Sequence, residues 1–170
     1  MGARRGGLEP LIATVGVYGF DRAAFLTALA EADVRLLLDV RQRRGVRGRQ
    51  YAWANSKRLQ VALNDAGIGY RHLPQLAPTT ELRELQYEED ARQGVGKRSR
   101  AELASEYRER YTGEILDTAD LDAVVALLPA EGAAALLCVE RESEACHRSI
   151  IAERLAEEYG VAVTHLTPEQ

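Results

Sequence analysis

Arg35-Leu36-Leu37-Leu38-Asp39-Val40 decides the fold. Its aliphatic run lacks the polar alternation of a half-solvated strand, so it reads as a strand covered by helices on both faces, as in parallel sheets. Toward the amino terminus, Leu11-Ile12-Ala13-Thr14-Val15-Gly16-Val17 reads as a first strand closed by Gly19. Asp21 then supplies an N-cap for a helix carrying Phe25, Leu26 and Leu29 on one face. Beyond the central run lies a basic loop, after which Asn55 or Ser56 caps a helix bearing Leu59, Val61, Leu63 and Ala66 and ended by Gly67. Ile68-Gly69-Tyr70-Arg71-His72-Leu73 is the third expected strand.

From Pro78 to about Leu128 the chain is charged and helical in character, with Leu82, Leu85, Leu103, Tyr107, Tyr111, Leu121, Val124 and Leu128 as expected inward positions. A buried strand returns over Ala133 to Glu140, then a helix over Ala145 to Tyr159 and a last strand over Val161 to Leu166. Strands alternating with helices predict a three-layer, open, mostly parallel α/β sheet with helices on both faces. The expected organisation is a flexible lead-in over 1–10 and a single domain over 11–170, with the charged helical insertion around 78–128. No internal repeat interrupts it.

The chain has 170 residues, 46% of them hydrophobic, enough for one domain to bury a core without metal or disulfide support. Its apolar runs fall far short of the ~20 residues that span a bilayer, so no membrane partner is expected. Two cysteines, Cys138 and Cys146, are too few for a secreted disulfide framework, and a reducing cytoplasm fits best. No cofactor and no metal is expected. The net charge of −4 hides an asymmetry, because Arg41, Arg43, Arg44, Arg47, Arg49, Lys57 and Arg58 form a segment without a single acid. An acidic protein with a local basic loop suits one defined anionic ligand better than non-specific coating of nucleic acid.

Ligands of open α/β sheets bind outside the carboxyl ends of the strands. Three clusters fall there: Asp39-Val40-Arg41, His72, and Glu140 to Arg148. In the last, Ser143 as N-cap would put Cys146 in a first helical turn, where unpaired N–H groups favour an anion or a thiolate. Glu140, Glu142 and Glu144 oppose that, so the sign of the shift stays open. Cys146 reads as a nucleophile or as a packed small hydrophobe. His147, spaced with Ile151 and Leu155, is a catalytic or a structural histidine, and Cys138 belongs to the core. Arg148 in a first turn works against the helix dipole and calls for an anionic partner, a ligand or Glu144 or Asp39.

In the basic loop, arginine forks suit phosphate, Gly45 and Gly48 allow close approach, and Tyr51 and Trp53 can stack on a base. The alternative is a solvated loop with both aromatics packed inward. Lys97-Arg98-Ser99-Arg100 is a second basic cluster. No G-x-S-x-G, Walker A, G-x-G-x-x-G or H-E-x-x-H motif occurs, and a rhodanese-like or phosphatase cradle fits poorly, since Arg148 follows Cys146 by only two residues.

Taken in order, Ala13-Thr14-Val15-Gly16, Leu38-Asp39-Val40-Arg41, Gly67 to Leu73, and Cys138-Val139-Glu140 with Cys146-His147-Arg148 resemble a bacterial family, domain-of-unknown-function family 488. The resemblance covers nearly the whole chain and implies an α/β domain, with no established activity attached. Where that family ends its first strand in Gly-His-Ser or a near relative, this chain has Gly16-Val17-Tyr18-Gly19, and the common Leu-Gly-Gly after the third strand is Leu76-Ala77-Pro78. The arginine-rich loop marks a branch with its own basic surface.

The leading expectation is an enzyme acting on a phosphate-bearing substrate, a nucleotide or nucleic acid. Asp39 or Glu140 would be its acid or base, Cys146 its nucleophile and His147 the group that activates it. Arg41, Arg43, Arg44, Arg47, Tyr51, His72 and Arg148 would bind substrate. The rival is a non-catalytic nucleic-acid-binding module that uses the arginine-rich loop with Lys97, Arg98 and Arg100.

Overall fold

The structure, a computed structural model, describes residues 11–96 and 98–168. The expected lead-in over 1–10 and Lys97 lie outside the described residues. Five parallel strands, β1 (Leu11–Val15), β2 (Val34–Asp39), β3 (Gly69–His72), β4 (Ala133–Leu137) and β5 (Ala162–Leu166), form one sheet in the order β3-β2-β4-β1-β5. The register sets Val15, Asp39, Leu137, His72 and Leu166 level along its carboxyl edge.

Alternate residues of a strand face opposite sides of a sheet, and the two cores follow that period. Ala13, Val15, Leu37, Ala135 and Leu137 pack on one side against Phe25 and Leu29 of α1 (Arg22–Glu31) and Leu59 and Leu63 of α2 (Ser56–Asp65). Ile12, Leu38, Ala134 and Leu136 pack on the other against α3 (Thr80–Gln93), α4 (Ser105–Tyr111), α5 (Leu121–Ala126) and α6 (His147–Tyr159), through Leu82, Tyr107, Tyr111, Val124, Ile151 and Leu155. This is the three-layer α/β sheet with helices on both faces.

Local chemistry sets most boundaries as expected. The Asp21 carboxylate accepts the Ala24 N–H at 2.8 Å and starts α1, and Gly67, at φ 74°, follows the C-cap Ala66 that ends α2. Three details differ. Val61 is 62% exposed, because Leu59, Ala62 and Leu63 form the inward stripe of α2 and a residue two places from Leu59 and Leu63 points away from it. Asn55 precedes α2 but its Oδ1 accepts the Val46 N–H at 2.6 Å, so it anchors the basic loop instead of capping the helix. Ser143 is not the N-cap of α6: Ser143–Ala145 forms its own 3-10 turn, and Cys146 itself occupies the cap position.

The chain leaves β2 toward one face of the sheet and β4 toward the other, so a crevice opens between their carboxyl ends. Among the described residues no helix is long and apolar enough to cross a membrane.

Candidate functional site

A cleft of about 680 Å³ occupies that crevice, within the usual range of small-ligand sites. Cys138, Cys146, His147 and Glu140 line it from the β4 side, and Arg41, Arg43 and Arg47 from the loop after β2. Arg83, Tyr87, Arg98 and Arg100 close it from α3 and the segment that follows. Tyr18, just beyond β1, completes the wall. Chain segments widely separated in sequence therefore meet at one edge of the sheet.

The floor is built around α6. His147 stands in its first turn, 6% exposed, with Nε2 donating to the Val40 carbonyl at 2.8 Å. That bond fixes the tautomer and leaves Nδ1 as a bare acceptor, 3.5 Å from the Cys146 Sγ. Burial pushes the His147 pKa down to about 4, so the imidazole is neutral at physiological pH. The Tyr111 ring packs against it with centroids 5.4 Å apart.

Cys138, expected as plain core, follows β4 at the cleft floor, and its sulfur is joined to that of Cys146. Two cysteines are too few for a framework of crosslinks, yet they suffice for this single short bridge. The sulfurs and the His147 ring form the one group among the described residues with ligand atoms close enough for a metal, within 4.8 Å of one another. A thiophilic cation would need those sulfurs apart and as thiolates.

Arg148 is fully buried and does not face the cleft. Its NH1 donates to the Glu140 carbonyl at 2.7 Å and approaches the Cys138 Sγ at 3.1 Å, while NH2 donates to the Arg141 carbonyl at 3.1 Å. Its hydrogen-bond partners are carbonyls and a sulfur; neither Glu144 nor Asp39 touches it, though the charges of Glu140, Glu142 and Glu144 favour the cation. Burial lowers its pKa to about 10, which still leaves a cation at neutral pH. The tight loop has a condition at Gly16, where a Cβ would lie 1.8 Å from the Glu140 carbonyl oxygen.

Asp39 and Arg41 form a closed pair. The Asp39 carboxylate, 0% exposed, accepts Arg41 Nε at 2.9 Å, Arg41 NH2 at 2.8 Å and the Tyr70 hydroxyl at 2.6 Å, and Arg41 NH1 donates to the Ala54 carbonyl at 2.9 Å. These contacts occupy both groups, so they hold the β2 end in place and leave little for a substrate. His72 Nε2 donates to the Arg41 carbonyl at 3.1 Å, and Arg44 NH1 to the Tyr70 hydroxyl at 3.3 Å; neither side chain lines the cleft.

Arg100, placed by its sequence in a basic surface cluster, is instead buried. It pairs with Asp90 of α3 and with Glu140, each at 2.7 Å, and donates to the Ala145 carbonyl just before Cys146. Glu140 is thereby tied as an ion-pair partner. Asp90 and Gln86, which hold this cluster from α3, carry no motif, and only their i, i+4 spacing hinted at a shared face.

Of the basic loop, Arg43 and Arg47 are exposed on the cleft wall with no side-chain partner among the described residues. The Arg98 guanidinium lies 5.2 Å from the ring centres of both Tyr18 and Tyr51 and reaches the Arg47 carbonyl at 3.2 Å. Trp53 packs on Phe25 in the core, centroids 4.9 Å apart, so of the two loop aromatics only Tyr51 is placed near the cleft rim.

The sequence pattern of the family described as Domain of unknown function DUF488 matches residues 21–155, most of the chain. The chain belongs to the DUF488 family. The match takes in the β2 end, the basic loop, and the Cys138 to Arg148 segment that floors the cleft. Comparison with curated proteins and with solved structures gives no match.

Proposed function

We propose that this DUF488 protein is an enzyme acting on a phosphate-bearing substrate, a nucleotide or a nucleic-acid terminus, with Cys146 as nucleophile. One observation carries the reading: the Cys146 sulfur lies 3.5 Å from the bare Nδ1 of a histidine whose other nitrogen is committed to the Val40 carbonyl. When Cys146 is reduced, its S–H donates to Nδ1, and a thiolate formed there stabilises the imidazolium beside it. A reducing, cytoplasmic setting is the compartment in which that form works.

The substrate class comes from Arg43 and Arg47, without side-chain partners among the described residues, with Arg98 and Tyr51 forming a face on which a base can lie. Arg41, Arg148, Asp39 and Glu140 move in this reading from ligand and acid-base roles to positioning ones, because buried partners hold Asp39, Arg41, the two terminal nitrogens of Arg148 and one Glu140 oxygen. His72 and Arg44 support the β3 side of the loop.

The test is binding and turnover by reduced protein with pyrophosphate, nucleoside triphosphates and short oligonucleotides. Arg43→Ala and Arg47→Ala should each weaken binding about 10-fold or more, the worth of one charge-assisted hydrogen bond. Cys146→Ser should keep binding and lose turnover. Binding unaffected by both arginine variants sinks the phosphate assignment. The rival reading, a nucleic-acid-binding module, draws on the exposure of Arg47 and Arg49. It gains if affinity rises steadily with oligonucleotide length and Cys146→Ser changes nothing.

A further inference from the structure

We propose that Cys138 and Cys146 form a reversible dithiol–disulfide pair that exchanges with small disulfides bearing carboxylates, an activity that rests on the anion-attracting cleft of the preceding reading. The bridge joins residues eight apart, at the end of β4 and the cap of α6. The loop it closes is already clamped: Arg100 holds the Ala145 carbonyl, and Arg148 holds the carbonyls of Glu140 and Arg141. A crosslink across so short a loop constrains the unfolded chain less than one closing a long loop, and the native loop is held without it, which points to chemistry as its use.

The surroundings differ at the two sulfurs, and the difference assigns roles. Cys146 faces the acceptor nitrogen of His147, and Cys138 faces the Arg148 guanidinium. Both lie on the floor of a cleft whose wall carries Arg43, Arg47 and Arg98, so an anionic disulfide is drawn to them. In the reduced protein His147 takes the Cys146 proton, and the thiolate attacks one sulfur of R–S–S–R. One RS⁻ leaves and collects that proton from the imidazolium as RSH. Cys138, its thiolate stabilised by the Arg148 cation, attacks the Cys146 sulfur of the mixed disulfide. The second RS⁻ departs with the proton lost by Cys138. Two protein thiols are oxidised to one disulfide, and R–S–S–R is reduced to two RSH.

The experiment treats fully reduced protein with oxidised glutathione at neutral pH, then traps free thiols by alkylation and weighs the intact chain. Wild type should lose both free thiols without retaining glutathione. Cys138→Ser should stop at one glutathionyl group on Cys146, and Cys138→Ala repeats the test if serine upsets the β4 end. Cystamine, a cationic disulfide, should react roughly tenfold more slowly than glutathione disulfide, because the wall arginines repel it. The proposal is overturned if wild type keeps both thiols or holds the glutathionyl group without closing the pair, and also if the two disulfides react equally fast. Pyrophosphate binding by the same reduced sample reports on the cleft alone. Binding without exchange overturns the exchange and spares the phosphate reading, whereas exchange without binding does the reverse.

Discussion

His147 lives under a constraint that acid can test. Its side chain is neutral in the folded protein down to about pH 4, while in the unfolded chain it titrates near the ordinary 6.5. Between those values the unfolded state binds a proton that the folded state refuses. The contribution to stability is therefore complete above pH 6.5 and is lost as pH falls toward 4. It amounts to no more than about 3 kcal/mol. We expect His147→Gln, which keeps a donor for the Val40 carbonyl, to show a flatter dependence of the urea midpoint on pH between 6.5 and 4 than wild type. Parallel curves for the two proteins would mean that the imidazole accepts its proton in place.

At the scale of elements, β1 and β4 are brought together by what is missing between them. A methyl group at Gly16 would overlap the Glu140 carbonyl, which is backbone and cannot swing aside. Gly16→Ala should cost about 3 kcal/mol or more in denaturant unfolding and loosen the Cys138–Arg148 segment, because overpacking against main chain has no rotamer escape. A loss below about 1 kcal/mol would show that the two loops can separate.

Elements of this kind were legible to different degrees. The run Leu36 to Leu38 announced a strand covered on both sides, and Asp21 announced the start of α1, because both depend on neighbours in sequence. The cap of α6 was misplaced by three residues, since a 3-10 turn over Ser143–Ala145 uses the same serine and the same charges as a helix start would. The meeting of the β2 and β4 ends around Cys146 and His147 followed from topology, whereas His72 at the β3 end stays outside the cleft. The roles of Arg148 and Arg100 did not, because an arginine two residues from a cysteine or within a basic cluster looks the same whether it greets solvent or carbonyls. Nothing in the order of residues tells that Arg100 meets Glu140 forty positions away.

Seen as a whole molecule, the protein is an acidic body with a basic rim. The chain carries a net charge of −4, while the segment from Arg41 to Arg58 has seven basic residues and no acidic one. A small ligand that contacts only Arg43 and Arg47 displaces few counterions. Raising salt from about 50 to 200 mM should then weaken nucleotide binding by about tenfold at most, against the thousandfold or more of a protein that grips many phosphates. A steep slope for a mononucleotide would show that the whole basic segment, and not two side chains, governs the approach.

Parallel strands also give the molecule a front and a back. The described chain enters the sheet at Leu11, on the edge away from the crevice, and leaves it at Leu166, on the crevice edge. A surface or a label coupled directly at Leu11 would therefore hold the cleft outward, toward the bulk solution. The same coupling beyond Leu166 would set it beside the opening, so the choice of handle decides whether an immobilised sample can still be reached by its ligand.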